Sequence, residues 1–442
     1  MLIIRRFIGL FRYLRRFFRW GLISLVHFIL MILVFIVTLI TRYSVKINVK
    51  QPRLVWGSTP LANNIYWSMS MKEFGFNSET FTDYYYSSAT NREDWDLLMI
   101  EKYQIVPIKY RPYFCFIESL FNYDVFFISV DGYFLGQTPY WKMESFFLKL
   151  SKKKIVVIPY GGDAFVYHRI HSTSLLHGLL INYPLASTLQ SVKTQRLDYW
   201  VQNADFVMPG IMGPDGFGRW DLLSPSSLAI DLKKWKRSLR MSNANGVDET
   251  VYIAHAPNHR GFKGTEFIIE VVEQLKKEGF KIELILIENM KNEDVRRAFE
   301  SEVDVLVEQI IAPSYGLNGL EGMASGLCVI SNFEDESYIL PHRRWSFLSE
   351  CPAVSGTPEN LKDVLTSLIQ RPELRRQLGE ASRVYAEKYH SLESCQFLFS
   401  QVIEFIFERR GPLINFYHPI NGEFGINKPK VKHPLQNNKI VN

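Results

Sequence analysis

Two periodicities alternate along residues 51 to 410. Short apolar runs of strand length give way to stretches where apolar positions recur every three or four residues, with Gly or Pro at the junctions. Arg53-Leu54-Val55-Trp56 reads as a short strand, Gly57-Ser58-Thr59-Pro60 as a turn, and Leu61 to Phe74 as a helix stopped by Gly75. Val125 to Val130, Ile155 to Ile158 and Phe206-Val207-Met208-Pro209 repeat the strand signal. A second series opens at Thr250: strand 250–254, a loop to Gly264, helix 265–279 and strand 281–287. Strands 303–307 and 327–330 follow, then helices 358–370 and 372–390. Such alternation predicts a mostly parallel sheet covered by helices on both faces.

Leu223 to Val247, rich in Ser, Pro, Lys and Asn, separates the two series and reads as a linker. The expected organisation is α/β: two Rossmann-like doubly wound domains, 51–230 and 231–395, facing a cleft walled by strand C-termini and glycine loops. Residues 396–442 supply a helix crossing back to the first domain (396–410) and a loose polar tail (423–442).

The first fifty residues follow another pattern and are expected to associate with a membrane. At 100° per residue, Arg5, Arg12, Arg15, Arg16 and Arg19 share one arc of an amphipathic helix over 2–19, opposite Phe7, Leu10, Phe11, Leu14, Phe17 and Phe18. A basic, aromatic helix suits an anionic membrane surface. A hydrophobic helix over 21–41 is next, uncharged and, at ~1.5 Å per residue, roughly 30 Å long. A signal peptide is the rival reading, but the run exceeds an ordinary h-region and no small-residue cleavage site follows. Arginines before the run favour a cytoplasmic N-terminus, while Arg42, Lys46, Lys50 and Arg53 after it weaken the bias. No Asn-x-Ser/Thr sequon occurs. The expected location is the cytoplasmic face of the inner or plasma membrane; a type II span with a lumenal or external body is the alternative.

Composition narrows the field. A chain of 442 residues with 47% hydrophobic and 14% aromatic residues can build two cores and is not disordered. The net charge is +6 and six arginines lie in the first twenty residues, so the remainder is almost balanced and no nucleic-acid surface is indicated. Four scattered cysteines, Cys115, Cys328, Cys351 and Cys395, read as reduced thiols, with Cys328 in a core strand.

Three loops carry candidate chemistry. Pro257 to Thr265 holds Arg260, Lys263, Gly261 and Gly264 between a strand and a helix, a natural anion site. Tyr315-Gly316-Leu317 opens a helix running through Met323, where backbone N–H groups at Gly316 and Leu317 face outward and Glu321 lies about one turn further in. A carboxylate matches a vicinal diol such as ribose and is a poor ligand for phosphate. Pro159 to Phe165 places Asp163 after a strand, where it either faces a reacting sugar or acceptor hydroxyl or caps the next helix. Gly57, after the first strand, offers close approach to a diphosphate. Asp94-Trp95-Asp96 has the spacing of a metal-carrying motif but reads as the start of a helix.

Tyr-Gly-x-x-x-x-Glu-x-Met-Ala-x-Gly-x-x-Val-Ile, preceded by a Lys-Gly loop, resembles the donor-binding half of retaining GT-B glycosyltransferases of the family 4 type, over roughly residues 53 to 400. The resemblance implies that Glu321 binds the ribose of a nucleoside-diphosphate-sugar, that Arg260 and Lys263 hold its diphosphate with the backbone of Gly316 and Leu317, and that Gly57 approaches from the other domain. Many members carry a Glu eight residues before the ribose-binding Glu; here that position is Pro313, and Glu308-Gln309 resembles a variant acidic-Gln pair upstream. The implied reaction is front-face retaining transfer without a bound metal, with Asp163, Arg260 and Lys263 as catalytic candidates. The implied partners are the nucleotide-sugar, an anionic membrane surface, and a membrane lipid or lipid-linked or cell-surface glycan acceptor. A catalytically inactive scaffold or glycan-binding subunit is the alternative, supported by Pro313; a nucleotide-sugar epimerase is a third reading, in which the membrane segment has no purpose.

Overall fold

In a computed structural model, residues 2–87, 90–211, 213–240, 242–288, 290–425 and 428–441 are described, with side chains from residue 21 onward. The chain opens with one continuous helix, α1 (Leu2–Ser44). The expectation of two helices, 2–19 and 21–41, is corrected: Gly21 does not interrupt the helix. A lone exposed glycine costs ~1 kcal/mol against Ala, which a helix of this length absorbs. The predicted arginine arc falls on side chains outside the described residues.

The first domain is a six-stranded parallel sheet, ordered β3-β2-β1-β4-β5-β6. Its elements are β1 (Leu54–Trp56), α2 (Ala62–Glu73), β2 (Ser78–Thr82), β3 (Leu97–Leu98), α3 (Arg111–Asn122) and β4 (Val125–Ile128). They continue as α4 (Glu144–Leu150), β5 (Lys154–Val157), α5 (Thr173–Asn182), α6 (Gln190–Asn203) and β6 (Phe206–Val207). β4 is apolar at every position because both faces of a central parallel strand are covered. Val55, Phe126, Ile128, Ile155 and Val157 pack with α1, α3, α4 and α6. The alternate positions Leu54, Trp56, Val125, Phe127 and Val156 face α2 and the C-terminal helix. β2 escaped the sequence pattern because Ser-Glu-Thr-Phe-Thr is mostly polar, and β3 is only two residues long.

The second domain has a five-stranded parallel sheet, ordered β11-β10-β9-β7-β8. In chain order come β7 (Val251–His255), α7 (Arg260–Lys263), α8 (Thr265–Lys277), β8 (Ile282–Leu286), α9 (Asn292–Ser301), β9 (Val305–Pro313), α10 (Leu317–Ala324) and β10 (Cys328–Asn332). α11 (Glu336–Trp345), β11 (Val354–Ser355), α12 (Leu361–Gln370), α13 (Pro372–His390) and α14 (Leu392–Ile406) complete it. All four cysteines are free and buried.

Two segments join the domains. The 223–247 stretch is strapped down, with Ala229, Ile230 and Trp235 buried and the Ala229 amide donating to Asn63 Oδ1 at 3.0 Å. α14 crosses to the first sheet, where Phe399 meets Trp56 edge-on at 4.9 Å and Ser70 Oγ donates to the Leu392 carbonyl at 2.6 Å.

The tail expected to be loose is partly ordered. Leu435–Gln436 and Lys439–Ile440 form a hairpin, β12 and β13, whose turn residues Asn437 and Asn438 have φ of 52° and 65°. Asn tolerates that left-handed pair, the signature of a primed hairpin turn. The Asn438 side chain donates to the carbonyls of Cys351 and Ala353, both at 2.9 Å, tying the hairpin beside β11.

Candidate functional site

The C-terminal edges of the two sheets enclose a cavity of about 720 Å³. One wall comes from β1, β5 and α5: Leu61, Tyr160, Phe165, Leu179 and Tyr183 make it apolar and aromatic. The other wall is polar and comes from the second domain: Asn258, His259, Lys263, Gln309 and the Gly316-Leu317 backbone. Helix starts approach from both sides. α2 begins after Leu61 and α10 after Gly316, and neither has a side-chain cap, so first-turn N–H groups of both are left for water or a ligand.

Lys263 is the buried cation of the cavity. Its stem is buried at the end of α7, and its Nζ donates to Glu308 and, at 2.7 Å, to Gln309 Oε1. Both acceptors sit on β9 with almost no exposure. The second Glu308 oxygen accepts from the Gly316 amide at 3.3 Å and from Ser331 Oγ at 3.2 Å. Gln309 also braces the chain that follows, its Nε2 donating to the carbonyls of Pro313 (3.1 Å) and Ser314 (2.8 Å). Ser314 needs that support, because its φ of 60° is unfavourable for a residue with a Cβ. Pro313 ends β9, Ser314 reverses the chain, and Tyr315 is pinned by Tyr385 (2.8 Å) and His390 (3.0 Å), which aims Gly316 at Lys263. A Cβ on Gly316 would stand 3.6 Å from Lys263 Nζ, so the glycine keeps this corner open.

Glu321 is one turn inside α10 and 6% exposed. Asn292 Nδ2 donates to one oxygen at 3.2 Å and Asn318 Nδ2 to the other at 3.3 Å. Burial pushes its carboxyl up to about 7 in spite of these donors. Tyr66 of α2 feels it from the facing domain: burial first, and then the Glu321 charge, push that phenol up to about 12.

Other sequence candidates lie elsewhere. Arg260 is exposed and forks onto Glu288 at 2.9 and 2.8 Å, with Glu266 at 2.8 Å; it does not line the cavity. Gly57 is buried, and a Cβ there would meet the Phe81 carbonyl oxygen at 1.9 Å, so it serves strand packing while Pro60 to Asn63 reach the cavity. Asp163 spends its oxygens on backbone: one accepts from Tyr160 (3.0 Å) and Gly161 (3.1 Å), the other from Val130 (2.9 Å). It therefore holds the loops after β4 and β5 together, and burial followed by the Asp131 charge raises it to about 7.

Several site residues escaped the sequence reading. His259 lines the polar wall, 4.9 Å edge-on from Tyr183 of the other domain, and burial and then Lys263 hold its imidazole below the usual value. Lys193 donates to the Gly162 carbonyl at the apolar rim. Asp131 follows β4 and accepts from Tyr160 OH at 2.9 Å. Asp83, after β2, is raised to about 7 by burial and then by the Asp131 charge, with Gln137 opposing. The visible signal was Ser-Val-Asp-Gly directly after an apolar strand, the same strand-end logic applied to Asp163.

No protein-family model matches the chain, and no curated protein matches it. Similar solved structures include sucrose-phosphate synthase from Thermosynechococcus elongatus, at 14% identity over 81% of this chain and 100% of that chain, TM-score 0.49. An alpha-glucosyltransferase in complex with UDP and a 13-mer DNA shares 12% identity over 81% of this chain and 100% of that chain, TM-score 0.46. S. aureus MnaA with UDP shares 13% over 81% of this chain and 97% of that chain, TM-score 0.44.

Proposed function

We propose that this chain is a membrane-associated glycosyltransferase that moves a sugar, with retention, from a nucleoside-diphosphate-sugar to a lipid-linked or cell-surface glycan precursor. The observation that carries this reading is the convergence on one cavity of Lys263 and the uncapped starts of α2 and α10, with Glu321, held by two Asn side chains, buried one turn inside α10 behind the residues that line it. A cation and two helix N-termini suit a diphosphate, and an acid with two oxygens suits a ribose.

In this reading Glu308 is the internal counter-ion of Lys263, and the donor diphosphate takes its place beside the ammonium and the Gly316 amide. Glu308 and Gln309 are then left to meet hydroxyls of the transferred sugar. The bond between the anomeric carbon and the phosphate oxygen breaks with its electron pair going to that oxygen. The acceptor hydroxyl attacks the same face, and its proton passes to the departing phosphate. Lys263 and the helix dipoles stabilise the charge on the leaving diphosphate, so no metal is needed. The apolar wall excludes water from the reacting centre.

The second reading, a catalytically inactive scaffold or glycan-binding subunit, draws on the closed Lys263–Glu308–Gln309 cluster and on Pro313. A panel of nucleotide-sugars given to the purified protein separates the two. Transfer or slow hydrolysis of at least one donor is expected, and Lys263→Ala and Glu321→Ala should each abolish it. Donor binding without turnover in native membranes favours the scaffold; indifference to every donor removes the leading reading.

A further inference from the structure

Within the half of α1 from Gly21 to Ser44, an 18-residue stretch is apolar on nearly every side, with a mean hydropathy of 3.0. Toward the protein, Leu30, Met31, Val34, Val37, Thr38 and Thr41 are buried against α3 and α4 at helical spacing. Polar contacts lock this face at both ends: His27 Nδ1 and Tyr113 OH are 2.7 Å apart, and Arg42 Nη1 donates to the Leu150 carbonyl at 2.9 Å. Away from the protein, Leu22, Phe28, Ile29, Ile32, Ile36 and Ile40 are exposed. Phe121 on α3 and Phe146 on α4 add further exposed rings on the helices that cradle α1. A helix apolar all round needs cover on its second side.

We propose that α1 does not cross the bilayer. It lies in the plane of one leaflet, docked on α3 and α4, with its outer face in the acyl region and its arginine-bearing first half on anionic headgroups. His27 and Arg42 are 15 positions apart, roughly 22 Å along the axis at ~1.5 Å per residue. Were the axis along the membrane normal, the docked body would follow it that far into a hydrocarbon layer ~30 Å thick. The loop 102–110 that leads into α3 beside His27 would enter the lipid, where exposed irregular backbone is not tolerated. Exposed Lys109, beside His27, would go with it, and a buried lysine costs up to about 3 kcal/mol on insertion scales. With the axis in the plane, none of these groups leaves water. The first half of the same helix then runs along the surface, where Arg5, Arg12, Arg15, Arg16 and Arg19 match anionic lipid. Both ends of α1 and both α/β domains then sit on the same side of the membrane, whatever reaction the cleft performs.

The test uses the full chain on vesicles of mixed phosphatidylcholine and phosphatidylglycerol, with pure phosphatidylcholine as control. Binding should require the anionic lipid. Spin labels placed singly at Leu22→Cys, Ile29→Cys, Ile36→Cys and Ile40→Cys should report similar, shallow depths, the native thiols being buried. Phe28→Glu with Ile36→Glu should weaken partitioning by about tenfold or more and leave the melting temperature unchanged, since both positions face outward. In sealed vesicles Leu2→Cys and Lys439→Cys should react with an impermeant maleimide from the same side. A depth profile that peaks midway along the helix overturns the proposal, as does labelling from opposite sides. A vesicle-free dimer that covers these positions, with no binding to lipid, also overturns it.

Discussion

At the scale of the residue, Lys263 and Arg260 are three positions apart and end in different surroundings. One is buried at the cavity with a buried carboxylate and amide; the other is exposed and forked onto Glu266 and Glu288. Lys263→Ala should cut nucleotide-sugar affinity about 10- to 100-fold, the worth of a charge-assisted contact. Arg260→Ala should change it by less than about twofold, as surface pairs do; calorimetric titration of both variants checks this. Glu321 gives a pH signature. Its folded carboxyl titrates near 7, so its ionised form grows as pH rises through that value, and affinity for a nucleotide-sugar should rise from pH 6 to 8. The diphosphate of such a donor does not itself titrate there, so Glu321→Gln should flatten the profile. The places of Lys263 at the cavity and of Glu321 one turn inside α10 could be read from the glycine-framed junctions of strand and helix in which they stand. The place of Arg260 away from the cavity could not be read, because its partners Glu266 and Glu288 become neighbours only through the fold of β7, α8 and β8. Asp163 was ambiguous for the same kind of reason: only the fold shows its oxygens taken by three amides.

At the scale of the element, α10 and α13 pack through glycines rather than through large side chains. On the α13 side, a Cβ on Gly379 would stand 2.1 Å from the carbonyl oxygen of Gly326 just past α10; against β9, one on Gly322 would stand 2.4 Å from Leu306 Cδ2. Ala is ordinarily the better helix former, by ~1 kcal/mol over Gly. At Gly379 the obstacle is backbone, which cannot swing aside, so overpacking of about 1–3 kcal/mol wins. Gly379→Ala should lower the melting temperature by several degrees and loosen the α10 start that carries Gly316 and Leu317; thermal denaturation with and without nucleotide-sugar reads both. Most elements were legible from periodicity within a few residues, since buried parallel strands are unbroken apolar runs. Of the strands, β2, β3, β11 and the terminal hairpin went unread because they are short or polar and their place depends on a neighbouring strand; the helices α3, α4, α5, α6, α9 and α11 were covered only by the general alternation, and α7 was read as loop.

At the scale of the whole molecule, the two sheets share a core. One apolar cluster runs from Leu54, Trp56 and Phe127 of the first domain through Leu306, Tyr315 and Tyr385 of the second to Phe399 of α14. Phe399 lies edge-on against Trp56, Trp67 and Phe127 at once. Phe399→Ala should cost about 3–5 kcal/mol. Because the core is shared, calorimetry should show one unfolding transition moved down as a unit; two transitions, with only one displaced, would contradict this. Sequence spacing suggested that 396–410 returns to the first domain, but which side chains would close its core was beyond any local pattern. The return has a consequence in time. On the ribosome the aromatic floor around Trp56 emerges well before Phe399, with the second domain in between, and at ~5–20 residues per second the interval is tens of seconds. Through that interval the first sheet is unroofed on one side, while α1, which precedes it in the chain, is already free to take the docked position proposed for it. If α1 docks on a bilayer as proposed, anchoring precedes closure of the first domain's core, and the growing chain waits at the membrane surface for α14.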